Sequence, residues 1–144
     1  MAYCTITDIS KVAEVSFLLR LADDSGTASD LTGAEVQAAI VEAMAQADAE
    51  IDTYLATRYT LPLTTIPAII TRLSARMTVY YLTLRRQAPD EKWKDVYDRA
   101  VTMLEQMAAG KISIGVPLVK PDSPERPKPC MVGINSKFSR WRGF

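Results

Sequence analysis

Up to Gly110 the chain alternates between helix-spaced apolar residues and turn-rich breaks; beyond it that rhythm is lost. Thr7 followed by Asp8 predicts the start of a short first helix: a hydroxyl to cap free N–H groups, and a carboxylate at the positive helix end. Its inward positions are Ile9, Val12 and Ala13. The run Val15–Leu21 is apolar but too short for its period to be read, and it admits a second short helix. Residues 22–31, ADDSGTASDL, are turn residues and predict a polar loop.

Thr32 and Glu35 fit a Thr-x-x-Glu capping box ahead of a long apolar stripe. The stripe is Val36, Ile40, Ala43, Ala47, Ile51, Tyr54 and Arg58, spaced by three or four. It predicts a helix from about residue 33 to 57, roughly 37 Å long at 1.5 Å per residue. Alanines at 38, 39, 43, 45, 47 and 49 would let another helix approach closely, while Glu42, Glu50 and Asp52 fall off the stripe, toward solvent or a partner. The helix runs out in DAEIDTYLATRYTLPLTTIP, Asp48–Pro67. Tyr54 and Leu55 close it, Arg58 and Tyr59 follow, and Leu61, Pro62 and Leu63 connect to a helix starting at Pro67. This stretch predicts a rigid corner between packed helices, a scaffold for an assembly, with no residue poised for chemistry.

The next helix is expected over about 67–86, with Ile70, Leu73, Met77, Tyr80, Tyr81 and Leu84 inward and Arg72, Arg76, Arg85 and Arg86 outward. Another follows over about 90–109, burying Trp93, Val96, Tyr97, Ala100, Leu104 and Met107, and Gly110 supplies the left-handed residue that ends it. The fold class is therefore mostly α: a small bundle of about four helices in residues 1–110. Residues 111–144 form an extended arm, with a possible short strand at 111–116 (KISIGV). Prolines at 117, 121, 124, 127 and 129 exclude helix there. Fully extended, such an arm reaches roughly 100 Å. Its closing aromatics lead to the expectation that it packs on another chain, the alternative being its own domain.

Composition then narrows the function. The 144 residues are 48% apolar and 24% charged, ordinary globular usage that favours one domain. No apolar run approaches the roughly 18–20 residues that cross a bilayer, and MAYCTITD lacks the basic flank and apolar core of a secretory signal. Cys4 and Cys130, with no CxxC spacing, read as free thiols, which favours the cytoplasm. The net charge of zero divides unevenly: residues 1–110 carry ten Lys/Arg against fifteen Asp/Glu, and 111–144 carry seven against two. An acidic body with a basic tail points to intermolecular contact.

The chain has no histidine, which removes the commonest general base and metal ligand, and no phosphate-cradling glycine loop. Asp48/Asp52 and Glu91/Asp95 are i,i+4 pairs expected on a solvated face, and Tyr80 and Tyr81 read as core. No catalytic, cofactor-binding or metal-binding residue is expected, and no enzyme. The remaining candidate is KFSRWRGF, where Lys137, Arg140 and Arg142 interleave with Phe138, Trp141 and Phe144. Such a segment either fills pockets on a neighbouring protein with arginines at the rim, or stacks on single-stranded nucleic acid. With few charges and an acidic body, protein docking is favoured. A small nucleic-acid-binding or regulatory module is the alternative.

Several blocks carry a resemblance: MAYCTITDI, AxxxIDTYLATRYTLPL (47–63), Pro67 with Ile69 and Ile70, YYLTLRR (80–86), YDRAVTMLEQMAAGKISIG (97–115) and FSR (138–140). Together they resemble the Mu-like bacteriophage proteins of the head–tail junction. The resemblance implies a non-enzymatic connector, or adaptor, of the phage neck. Such a protein forms a ring, typically of twelve subunits, beneath the portal protein. The ring extends the DNA channel without binding DNA specifically and docks further neck or tail-completion proteins. It would reside in the virion after assembly in the bacterial cytoplasm, with no membrane contact.

Overall fold

A computed structural model describes residues 2–26, 28–87, 90–116 and 118. It contains five helices: α1 (Ile6–Val12), α2 (Val15–Ala22), α3 (Ala34–Leu55), α4 (Ala68–Arg85) and α5 (Glu91–Ala108). The mostly α bundle expected from the sequence is the fold, with Val15–Ala22 adding a fifth helix to the four expected. Residues 111–116, read as a possible short strand, are bends and irregular backbone; the β pairing among the described residues is a single antiparallel bridge from Tyr59 to Leu118.

Two helix starts differ from their predicted caps. Thr5, not Thr7, caps α1: its hydroxyl accepts from the Asp8 N–H, and the Asp8 carboxylate accepts from the Thr5 N–H at 3.1 Å. This is the reciprocal box with aspartate in the third position, and it leaves Thr7 inside the helix. Thr32 does not cap α3. Its N–H and hydroxyl both donate to the Asp30 carboxylate, a local turn that competes with capping, and Gly33 takes the cap position. At the far end of α5, the N–H groups of Gly110 and Lys111 return to the carbonyls of Met107 and Gln106 at 3.0 and 2.9 Å. Gly110 sits at φ +76°, the conformation this double closure requires.

α4 is the central element, packed against α1, α2, α3 and α5. Around it the core forms two clusters. One gathers Ile9, Leu18, Leu21, Val36, Ile40, Val79 and Leu82, with Trp93 stacked on Phe17 at 6.1 Å. The other gathers Ile51, Leu55, Tyr59, Leu63, Ile70, Leu73, Met77, Leu104 and Met107. Leu84, expected inward, is 44% exposed because it falls off the face that buries Val79, Leu82 and Thr83 at the same end of α4. The polar loop after α2 is tied down at its start. Asp23 accepts from the N–H groups of Ser25, Gly26 and Ala28, which holds its carboxyl below the usual range. Arg85 grips Asp24 with both guanidinium nitrogens, and Arg86 donates to the Asp23 carbonyl.

Candidate functional site

The corner is built as its sequence implies. Leu55, Tyr59 and Leu63 are buried, while Tyr54 and Leu61 are half-buried against the same cluster. The N–H groups of Arg58 and Tyr59 donate back to the Leu55 carbonyl at 3.0 and 2.8 Å, closing the helix in one tight turn. Leu61–Pro62 is a cis peptide bond and Pro62 is exposed. Pro67 stands at the cap position of α4, where its missing N–H is not needed and its carbonyl accepts from Ile70 and Thr71. The Tyr59 hydroxyl is buried and has no partner among the described residues.

Arg58 links the corner to α5: its guanidinium lies over Gly110, where any Cβ would collide with it. Gly110→Ala is therefore expected to destabilise the fold by about 1–2 kcal/mol from the left-handed backbone alone. The contact adds less, because a long side chain can swing aside. Denaturant titration with and without Arg58→Ala separates the two parts. A loss that vanishes in the Arg58→Ala background would show that backbone geometry is not its source.

Beside the corner lies a buried polar seam that the sequence did not reveal. Asp48, expected on a solvated face, is 5% exposed. Its carboxylate accepts from the Tyr3 N–H at 3.1 Å and from the Ser74 hydroxyl at 2.7 Å. The Cys4 sulfur lies 3.2 Å from the same hydroxyl, and Thr78 donates to the Ser74 carbonyl one turn below. Asp52 accepts from the Tyr3 hydroxyl. The i,i+4 carboxylates thus hold residues 3–4 against α3 and α4. Glu50, also expected toward solvent or a partner, accepts from both Tyr81 and Tyr97, the latter at 2.7 Å, and Tyr80 stacks on Tyr97 at 4.3 Å. Burial, then the bond to Glu50, pushes the Tyr97 phenol up to about 12. The one signal in the sequence was Ser74 and Thr78, an i,i+4 polar pair on the side of α4 away from Arg72 and Arg76.

Burial raises the Asp48 carboxyl, against the lowering effect of Ser74 and the Tyr3 N–H. A carboxyl whose pKa is higher folded than unfolded holds its proton more tightly in the fold. Its contribution is full below the unfolded value, near 3.9, and is lost as pH rises through the folded one. Wild-type stability relative to Asp48→Asn is therefore expected to fall as pH rises from about 4 toward neutrality. Paired urea titrations across that range check the sign; a constant difference would mean that Asp48 titrates normally.

Among the described residues no group of three His, Cys, Asp or Glu is placed to hold a metal, and no helix is long and apolar enough to cross a membrane. Lys137, Phe138, Arg140, Trp141, Arg142 and Phe144, the expected partner-binding arm, lie outside the described residues. Two surface features do stand out. A groove of about 730 Å³ between α1 and the first half of α4 has an apolar floor and a basic rim. The outer face of α3 carries exposed Ala38, Val41, Ala45 and Ala49 on a helix whose other side is buried.

The described residues define a small, mostly α bundle whose buried carboxylate Asp48 and part-buried Glu50 are hydrogen-bonded within it. The chain belongs to the family described as Bacteriophage Mu, Gp36, whose pattern matches residues 3–132. Among its relatives, Mu-like prophage FluMu protein gp36 of Haemophilus influenzae is 39% identical over 80 residues, 56% of this chain and 55% of that protein. Gene product J of Escherichia phage Mu is 38% identical over 84 residues, 58% of each chain. The matched stretch thus spans somewhat more than half the length of these relatives. The chain is a protein of the Mu-like phages.

Proposed function

We propose that this protein is a head–tail connector of a Mu-like phage. Copies assemble side by side into a ring beneath the portal, extend the DNA channel, and present a surface to the next neck or tail component. Family membership supports the phage role, and the sequence resemblance supports the place in the neck. The observation that carries self-assembly is α3. Its inner face is core, and its outer face exposes Ala38, Val41, Ala45 and Ala49, with Val41 56% exposed. An apolar stripe left exposed opposite a helix's core face, edged by Glu35 and Glu42, offers a surface to a partner.

A ring of identical subunits needs two different complementary faces on each chain. The net −5 of residues 1–110 and the net +5 of residues 111–144 offer an electrostatic pair for that purpose. The acidic body also suits a channel through which DNA passes without adhering, since like charge disfavours phosphate contact. Electron microscopy of purified necks is the test, with a ring of this chain between portal and tail as the expected image. A monomer absent from necks, with strongly salt-dependent DNA binding, would instead favour a nucleic-acid-binding module.

A further inference from the structure

We propose that the groove between α1 and α4 receives the outer face of α3 from a second copy of this chain. The inference rests on the connector reading and specifies which surfaces meet in the ring. Val12, Ile66 and Ala68 line the groove's apolar surface, and Lys11, Arg72 and Arg76 line its rim. Lys11 is held by Asp8 at 3.0 Å. Arg72 and Arg76 make neither an ion pair nor a hydrogen bond among the described residues, unlike Arg85 and Arg86 further along the same helix. Two unpaired guanidinium groups one turn apart beside an apolar floor fit a helix that brings small apolar residues and carboxylates.

The outer face of α3 is such a helix. Its centre is Ala38, Ala45 and Ala49, with Val41 on one side. Exposed Glu35 and Glu42 run along the other side, about 10 Å apart, two turns along the axis. Small side chains let the two backbones come close, and Val41 is the most exposed large apolar side chain of the described body. The two surfaces face different ways. Ser74 points to α3, where it bonds Asp48, while Arg72 and Arg76 each lie about 200° around α4 from it at 100° per residue. A groove on one side and its complement on another make a head-to-tail contact, which repeats around a ring instead of closing as a symmetric dimer.

The test uses the full chain, in solution by sedimentation and in phage particles by incorporation. Ala45→Arg, and separately the pair Arg72→Glu and Arg76→Glu, are expected to abolish multimers and particle incorporation while circular dichroism stays unchanged. Adding Glu35→Arg and Glu42→Arg to the groove pair is expected to restore both. Multimers that survive every variant would overturn this contact and leave the ring standing. Loss without rescue by the charge swap would overturn it too, and would point to a different protein in the groove. A wild-type chain that multimerises neither in solution nor in particles would overturn both the contact and the connector reading.

Discussion

Leu55→Ala is expected to lower the stability of the bundle by about 2–5 kcal/mol, the range for emptying a fully buried leucine site. Leu55 has no exposed surface, and it lies where the end of α3, Tyr59, Leu63 and the start of α4 converge. Its carbonyl also anchors the turn that follows, so the backbone there is poorly able to collapse into the gap. For a chain of this size each kcal/mol shifts the melting midpoint by about 2–4 °C, so a drop of roughly 10 °C is expected. Val15→Ala, at an exposed site, should stay within about 0.5 kcal/mol. A Leu55→Ala loss no larger than that of Val15→Ala would mean the corner is not the packed element described above.

The second large effect concerns the basic tail. Cutting the chain after Val132 is expected to leave the helical transition unchanged, because the five helices and both core clusters of the described residues lie upstream. The cut removes Lys137, Arg140 and Arg142 with Phe138, Trp141 and Phe144, three cations and three aromatics with no acid among them. If each subunit of a ring contributes one such segment, losing all of them removes avidity on the order of 10²–10⁴-fold. Head-to-tail joining should fail accordingly, as infectious titre and electron microscopy of lysates would record. Normal infectious particles from the shortened gene would remove the tail from the mechanism, while a shifted helical transition would tie it to the fold.

Within the bundle, what could be read from the chain and what could not divide along physical lines. The stripes through Val36–Ile51 and Ile70–Met77 were legible because an apolar residue every three or four positions has one economical solution, a helix with that side in the core. Gly110 was legible because few residues tolerate its backbone angle. The caps were less so. Thr5, Thr7 and Thr32 all carry a hydroxyl, and the choice among them turned on where Asp8 and Asp30 placed their carboxylates.

The carboxylates of the buried polar seam were not legible. On a helical wheel Asp48 and Asp52 look like any i,i+4 pair at the edge of an apolar stripe. Tyr3, 45 residues upstream of Asp48, covers them, and no local pattern reports a contact that distant. Glu50 is the same case, since its two tyrosine partners arrive from α4 and α5.

The sequence by itself determined the three long helices, the corner between α3 and α4, and the division into an acidic body and a basic tail, because these follow from local spacing and composition. The tertiary structure alone decided which carboxylates are spent inside and which arginines are left without partners at the surface. Burial and pairing are properties of segments brought together across the chain, and the groove beside α4 exists only once α1 has folded against it.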